Sequence, residues 1–314
     1  MPLHHLPLAL FAAPLGLGGL GLAWREASRG LGAPGWIGEG ILAVAAGLWC
    51  ALAVLHLLRL ARHPEALGAD LRHPVRAAFT GAVTITLMVL AGGLAPYSAA
   101  GASALWGLAV AGHLVIAAWT VRGLLLAPKD ASTLTPPILL PLVGNIVAPI
   151  FGPAIGFPIA SAMLFGVGAA LWLMLQPLLL GRLIHGPALP ARLRPTLAIF
   201  LAPPALGALA LAALTGGFGL APLALLGFAG FVALVLVTFL PEFLRAPFAL
   251  SWWSWTFPVA GFVTAVQVAC GHHPAAWHAP LQWALLLALT GIVAVVGAAT
   301  LRAALAGELL RPEG

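Results

Sequence analysis

The chain has 314 residues, 62% of them hydrophobic and only 7% charged, with a formal net charge of +6 from 14 Lys and Arg against 8 Asp and Glu. A soluble domain needs about a quarter charged residues to cover its surface, so this composition excludes one. Apolar runs of about 20 residues recur along the chain, each long enough to cross a hydrocarbon core of roughly 30 Å. They are continuous rather than alternating, which excludes a β-barrel and leaves an all-α polytopic membrane protein, read as a single transmembrane domain over 1–314.

Ten spans are predicted in chain order, at about 6–24, 36–60, 75–95, 100–122, 135–153, 157–180, 195–214, 220–241, 247–270 and 281–301. The first carries "LGLGGLGLAW" and lacks a basic leader, so it reads as a span rather than a cleaved signal. Its "GLGGLG" at 16–21 follows no strand, so it reads as helix packing and not a nucleotide fingerprint. Cys50 and Cys270 fall within or at the end of apolar runs and imply no disulfide framework.

Connectors alternate in charge. Those after spans two, four, six and eight, with the C-terminal residues, hold Arg59, Arg62, Arg72, Arg76, Arg122, Lys129, Arg182, Arg192, Arg194, Arg245, Arg302 and Arg311. The other side holds Arg25 and Arg29. Basic residues collect on cytoplasmic loops, so the basic side is the cytoplasmic one and both termini are expected there. The positive charge therefore needs no nucleic acid to explain it.

A proline marks the opening of every odd span, at Pro7, Pro74, Pro136, Pro195 and Pro247, with intervals of 62, 59 and 52 residues between the last four. Four odd spans carry deeper prolines: Pro14, Pro141 with Pro149, Pro203 with Pro204, and Pro258. A proline inside a helix removes one backbone bond and kinks it. In lipid such breaks belong inside protein or beside a watery cavity. The expected architecture is five helical hairpins around a central axis, with kinked odd spans inside and even spans outside.

No Asp, Glu, Lys or Arg sits in the middle of a span. Buried ionisable groups are what pumps commonly use, so their absence suits a passive conduit. The polar candidates for the interior are Thr84, Thr86, Asn145 and Gln267, each equally able to serve as an interhelical hydrogen bond. His56 and His113 lie on even spans and read as packing residues. Gly16, Gly18, Gly81, Gly144 and Gly261 permit either close packing or a wider bore. His272, His273 and His278 share an outer loop without a completing carboxylate or cysteine, so no metal or other cofactor is expected. No triad or carboxylate pair suggests an enzyme.

Several stretches resemble the tellurite-resistance/dicarboxylate transporter family, which includes the slow-type anion channels of plants: "APLGLGGLGLAW" (13–24), "RHPVR" (72–76), "LPLVGN" (140–145), "FLAPPA" (200–205) and "WWSWTFP" (252–258). The resemblance runs in order over nearly the whole chain. It implies a homotrimer in a bacterial inner membrane, each protomer passing small inorganic anions such as chloride and nitrate through its own pore. It also implies a phenylalanine gate on the ninth span, matched here by Phe257. Names within the family keep a second expectation open, a secondary carrier for C4-dicarboxylate, sulfite or tellurite. One departure stands out: Thr84 occupies the place of a mid-helix proline, which puts the kink of the third span in doubt. Ten residues separate Pro247 from Phe257, about 15 Å of α-helix, which sets Phe257 near mid-membrane.

Overall fold

The computed structural model describes residues 3–126 and 130–310; Lys129 and Arg311 lie outside them. Every regular element among the described residues is helical. In chain order the α-helices are α1 (Ala12–Gly30), α2 (Gly35–Arg62), α3 (Pro64–Arg72), α4 (Pro74–Ala78), α5 (Thr80–Leu94), α6 (Ala99–Leu126), α7 (Leu139–Val143), α8 (Ala148–Phe151), α9 (Pro158–His185), α10 (Ala202–Thr215), α11 (Leu220–Thr238), α12 (Leu240–Arg245), α13 (Thr256–His272) and α14 (His278–Leu305). Eight helical stretches among the described residues are long and apolar enough to cross a membrane. The stretch Pro136–Phe151 is shorter and broken, and α13 reaches comparable length only with the 3-10 segment Leu250–Trp255 that feeds it.

Chain neighbours pack on each other: α1 on α2, α5 on α6, α7 and α8 on α9, α10 on α11, and α13 on α14. Burial alternates along the chain. In the most apolar windows 83%, 67% and 72% of residues are buried for Leu8–Gly30, Pro74–Leu94 and Ala191–Thr215, against 17–28% for α2, α6, α9, α11 and α14. The outer faces of the second group show Leu57, Leu108, Ile159, Leu173 and Val295 uncovered, as a lipid-facing surface requires.

The deep prolines do something other than kink a continuous α-helix. Four α-segments are entered through 3-10 winding: Leu8–Phe11 before α1, Pro136–Ile138 before α7, Ala191–Leu201 before α10, and Leu250–Trp255 before α13. In each case the third α-helical residue is proline, namely Pro14, Pro141, Pro204 and Pro258, with Pro203 beside Pro204. Proline has no N–H to offer the carbonyl four residues earlier, and its ring crowds that carbonyl. The preceding turn closes i→i+3 bonds instead, which is 3-10 geometry. Thus the Ala202 N–H donates to Ile199 O and the Thr256 N–H to Trp253 O. The inner helix without such a proline, α5, has Ala82 at the third position and runs unbroken past Thr84. Among the even spans, Pro177 sits inside α9, because that helix continues to His185 rather than ending near residue 180.

Helix ends also outrun the expected spans where charges are paired. The α1 helix continues to Gly30 because Arg25 is neutralised within the fold. Its guanidinium donates to both carboxylate oxygens of Glu39 at 2.7 and 2.6 Å and to the carbonyls of Gly92 and Gly93 at 3.3 and 2.9 Å. One side chain therefore ties α1 to α2 and satisfies the end of α5. At the other end of the bundle Arg59 and Asp70 form a buried pair at 2.6 Å, and Arg59 Nε donates to His4 O at 3.0 Å.

Candidate functional site

The segment "SWWSWTFP" (251–258) is divided among three neighbours by its winding. In a 3-10 helix side chains three apart eclipse one another. Trp252 and Trp255 accordingly share one face, with the Trp255 ring edge-on to Phe243 of α12 at 4.9 Å. Trp253 and Thr256 share the face toward α1, where a β-carbon on Gly16 would overlap the Thr256 hydroxyl. The Trp253 indole then donates to Thr300 Oγ1 of α14 at 2.9 Å. Ser254 and Phe257 share the third face, and it opens on a cavity.

That cavity is small, ≈ 40 Å³ measured by the centre of a water molecule, and apolar. Its wall comes from the buried segments alone: Ala12 of α1, Ile85 of α5, Val143 of α7, Ala202 of α10 and Ser254 before α13 are among its members. A second cavity of ≈ 490 Å³ lies on the side of Arg25, Glu26, Arg29 and His272. Three residues line both: Val147, Leu206 and Phe257. They form a shared apolar wall between the two spaces. The Phe257 ring lies against α1, where a β-carbon on Gly19 would stand 3.1 Å from its Cδ2.

The expected 15 Å of α-helix leading to Phe257 is a 3-10 segment for most of its length. Its six residues rise about 12 Å, against about 9 Å in α winding, which carries Phe257 farther from the basic end. Among the prolines, Pro203 and Pro258 line the small cavity. Pro14 and Pro204 are buried away from both cavities, and Pro141 faces a separate crevice bordered by α6 and α9.

The polar candidates are directed elsewhere. Thr84 Oγ1 lies 2.7 Å from His113 Nδ1 of α6 and donates to Gly81 O in its own helix. Thr86 donates to Ala82 O, and Asn145 Nδ2 to Leu142 O. Gln267 is buried with both amide ends lacking a partner. None of the four lines either cavity. Thr84 and His113 are thus an interhelical pair, as membrane helices use polar side chains. The outer histidines separate too. His272 lines the larger cavity, His273 Nε2 pairs with Phe218 O at 2.8 Å, and His278 Nδ1 accepts the Ala275 N–H at 3.1 Å. Near the Arg25–Glu39 pair, the loop residue Tyr97 hydrogen-bonds Glu39, which raises its phenol pKa.

Sequence reasoning missed Ser254, Val147, Leu206 and Arg25 as parts of this site. The signal for Ser254 was its three-residue spacing from Phe257, legible only once the winding is known.

Residues 5–301 match the family described as SLAC1, voltage-dependent anion channel. The chain belongs to this family. Among curated relatives, the S-type anion channel SLAH3 of Arabidopsis thaliana is 28% identical over 84% of this chain and 43% of its own length. The guard cell S-type anion channel SLAC1 of the same plant is 27% identical over 82% of this chain and 47% of its own. The tellurite resistance protein TehA homolog of Haemophilus influenzae is 26% identical over 63% of this chain and 61% of its own. The chain spans about half the length of the curated relatives it matches. Membership makes it a multi-pass membrane protein of a family of anion channels, which agrees with its all-helical, apolar fold.

Proposed function

We propose that the chain is a passive conduit for small monovalent anions such as chloride and nitrate. In this reading five helical hairpins, α1–α2 through α13–α14, surround a pore in each protomer of a homotrimer. The pore runs through the two cavities, and Phe257 is its gate. The basic end faces the cytoplasm of a bacterial cell, as the distribution of arginines supports. The observation that carries the reading is the wall of Val147, Leu206 and Phe257 common to two cavities that are lined by inner segments. An apolar constriction of this kind excludes water and stops ions without a charged ring. No ionisable side chain is among the lining residues of the smaller cavity, which favours passage over tight capture.

Phe257→Ala tests it. Shortening the bulkiest residue of the wall is expected to raise anion current at least about tenfold, equivalent to about 1.4 kcal/mol off the barrier. Voltage clamp of oocytes or bilayers, with liposome flux beside it, gives the reading. An unchanged current from a variant that inserts and melts like wild type refutes the gate. Saturable, proton-dependent uptake of malate in the same liposomes would replace the channel by a carrier.

A further inference from the structure

The crevice bordered by α6 and α9 measures ≈ 520 Å³ by the centre of a water molecule, far more than the ≈ 40 Å³ of the small cavity. Its walls are largely apolar, with Leu134, Ile138, Leu175 and Leu178 among them. It opens on the lipid-facing side, since Trp119 of α6 and Leu178 of α9 line it and are 43% and 59% exposed. Arg122 and Arg182 follow these two residues by about one helical turn, so the opening lies where both helices leave the membrane at the basic end. Gly123 marks the space as open, because an added β-carbon there would meet no atom within 4 Å beyond its own turn. A buried water needs two to four polar partners, and apolar walls give it few, so in a bilayer such a space fills with hydrocarbon.

Two opposite charges share the crevice without pairing. Arg72, the last residue of α3, is exposed and has no salt-bridge partner among the described residues. Asp130 accepts the Ser132 N–H at 2.8 Å, a bond that holds its carboxyl below the ordinary carboxylate pKa and keeps it ionised. The indole N–H of Trp119 also lacks an acceptor among the described residues. A guanidinium, an indole N–H and a carboxylate around one apolar slot match a ligand with an acyl chain, a phosphate and a cation.

We propose that this crevice seats one zwitterionic phospholipid of the basic-end leaflet, its acyl chain in the slot, its phosphate on Arg72 and Trp119, and its ammonium on Asp130. A guanidinium meets a phosphate with two parallel hydrogen bonds. A primary ammonium donates hydrogen bonds to a carboxylate, which a trimethylammonium cannot do. An anionic glycerol headgroup offers Arg72 its phosphate but brings Asp130 no positive charge. The site therefore takes an ethanolamine headgroup ahead of choline or glycerol. It stands apart from the proposed permeation pathway, yet the two share a wall. Ile138 and Pro141 line the crevice, while Leu139 and Val143 of the same segment line the small cavity. A seated acyl chain thus backs the segment that walls that cavity.

Melting of the purified full-length protein in detergent tests the site, with dioleoyl phosphatidylethanolamine, phosphatidylcholine and phosphatidylglycerol added in turn. The ethanolamine lipid is expected to raise the melting temperature saturably, at a midpoint several-fold below those of the other two. Arg72→Gln weakens that midpoint about tenfold, as loss of a hydrogen-bonded charge predicts. Asp130→Asn, which keeps an oxygen for the Ser132 N–H, brings the ethanolamine midpoint to that of the choline lipid. Gly123→Phe fills the slot and abolishes the shift. Arg72 and Asp130 are exposed, so their variants read the site even where Gly123→Phe fails to fold. Equal midpoints for the three headgroups, or an ethanolamine midpoint unchanged by Arg72→Gln or by a folded Gly123→Phe, overturns the site. A folded Gly123→Phe that runs as a smaller oligomer assigns the crevice to a second copy of the chain and overturns it likewise.

Discussion

Gly19 is where the fold meets the proposed constriction, and adding one methyl there has a calculable cost. A β-carbon on Gly19 would lie 2.8 Å from Ala260 Cβ and 3.1 Å from Phe257 Cδ2. Carbon atoms rest at about 3.5–4.0 Å, so α1 and α13 must separate by about 0.7 Å or more to admit it. Ala260 is 1% exposed and cannot swing aside, since a methyl has no rotamer to change. Gly19→Ala is therefore expected to destabilise by about 1–3 kcal/mol, the usual range for overpacking. Ala260→Gly removes the nearer obstacle and leaves the Phe257 ring, which can rotate. On its own Ala260→Gly costs about 1 kcal/mol in helix propensity. Together the two changes should cost less than their sum by about 1 kcal/mol or more, a coupling that distant sites do not show. Melting of the four purified proteins in one detergent reads the cycle. A Gly19→Ala variant that melts with wild type, or two changes that simply add, would show that α1 and α13 do not meet at these residues.

Two further predictions concern the junctions and the loop between α5 and α6. Pro258→Ala is expected to change stability by less than about 1 kcal/mol, because the turn before Pro258 is already closed by i→i+3 bonds that do not use its nitrogen, whereas Val263→Pro deeper in α13 costs about 3 kcal/mol or more. The opposite ranking in melting experiments would mean that the prolines are strained kinks. Tyr97 is the single tyrosine of the chain, so ultraviolet titration reads it alone. Its hydrogen bond to the Glu39 carboxylate favours the protonated phenol, so its midpoint lies above the ordinary 10.0 and falls toward that value in Glu39→Gln. A midpoint unaffected by Glu39→Gln would remove that bond.

Hydropathy and proline spacing were enough to locate the helical segments and to separate buried from lipid-facing ones, because both are properties of composition over a whole window. Winding was not legible: the apolar pattern of "LSWWSW" does not state whether carbonyls close on the third or the fourth residue. That choice follows from Pro258 acting on the turn before it. Helix ends failed for a related reason. Arg25 reads as an exit from the membrane until Glu39, a helix away, is seen to neutralise it. Choosing site residues by polarity led to Thr84, Thr86, Asn145 and Gln267, yet Thr84, Thr86 and Asn145 bond within the bundle and none of the four lines a cavity. An apolar wall offers no such marker in sequence, so Val147 and Leu206 looked like any other core residues.

The glycines show how the wall of Val147, Leu206 and Phe257 is held. Either close packing or a wider bore was open for Gly16, Gly18, Gly81, Gly144 and Gly261, and at each an added β-carbon would come within 3.0 Å of a neighbouring atom, so close packing is the answer. Two glycines set the wall directly. Gly19 of α1 receives Phe257 and Ala260, and Gly261 of α13 receives Leu206, whose Cδ2 would stand 2.7 Å from an added β-carbon. The α13 helix is thus pressed between α1 and α10, with the Phe257 and Leu206 side chains seated against glycines of the neighbouring helix. Such tight seating means that, in the proposed pore, the width is decided by side chains and not by spacing between helices. A change at Phe257 should then alter the bore while leaving the helix contacts intact, whereas a change at Gly19 or Gly261 should loosen the bundle whatever it does to the bore. That separation makes the comparison of current with melting temperature, variant by variant, the sharpest test of Phe257 as the proposed gate.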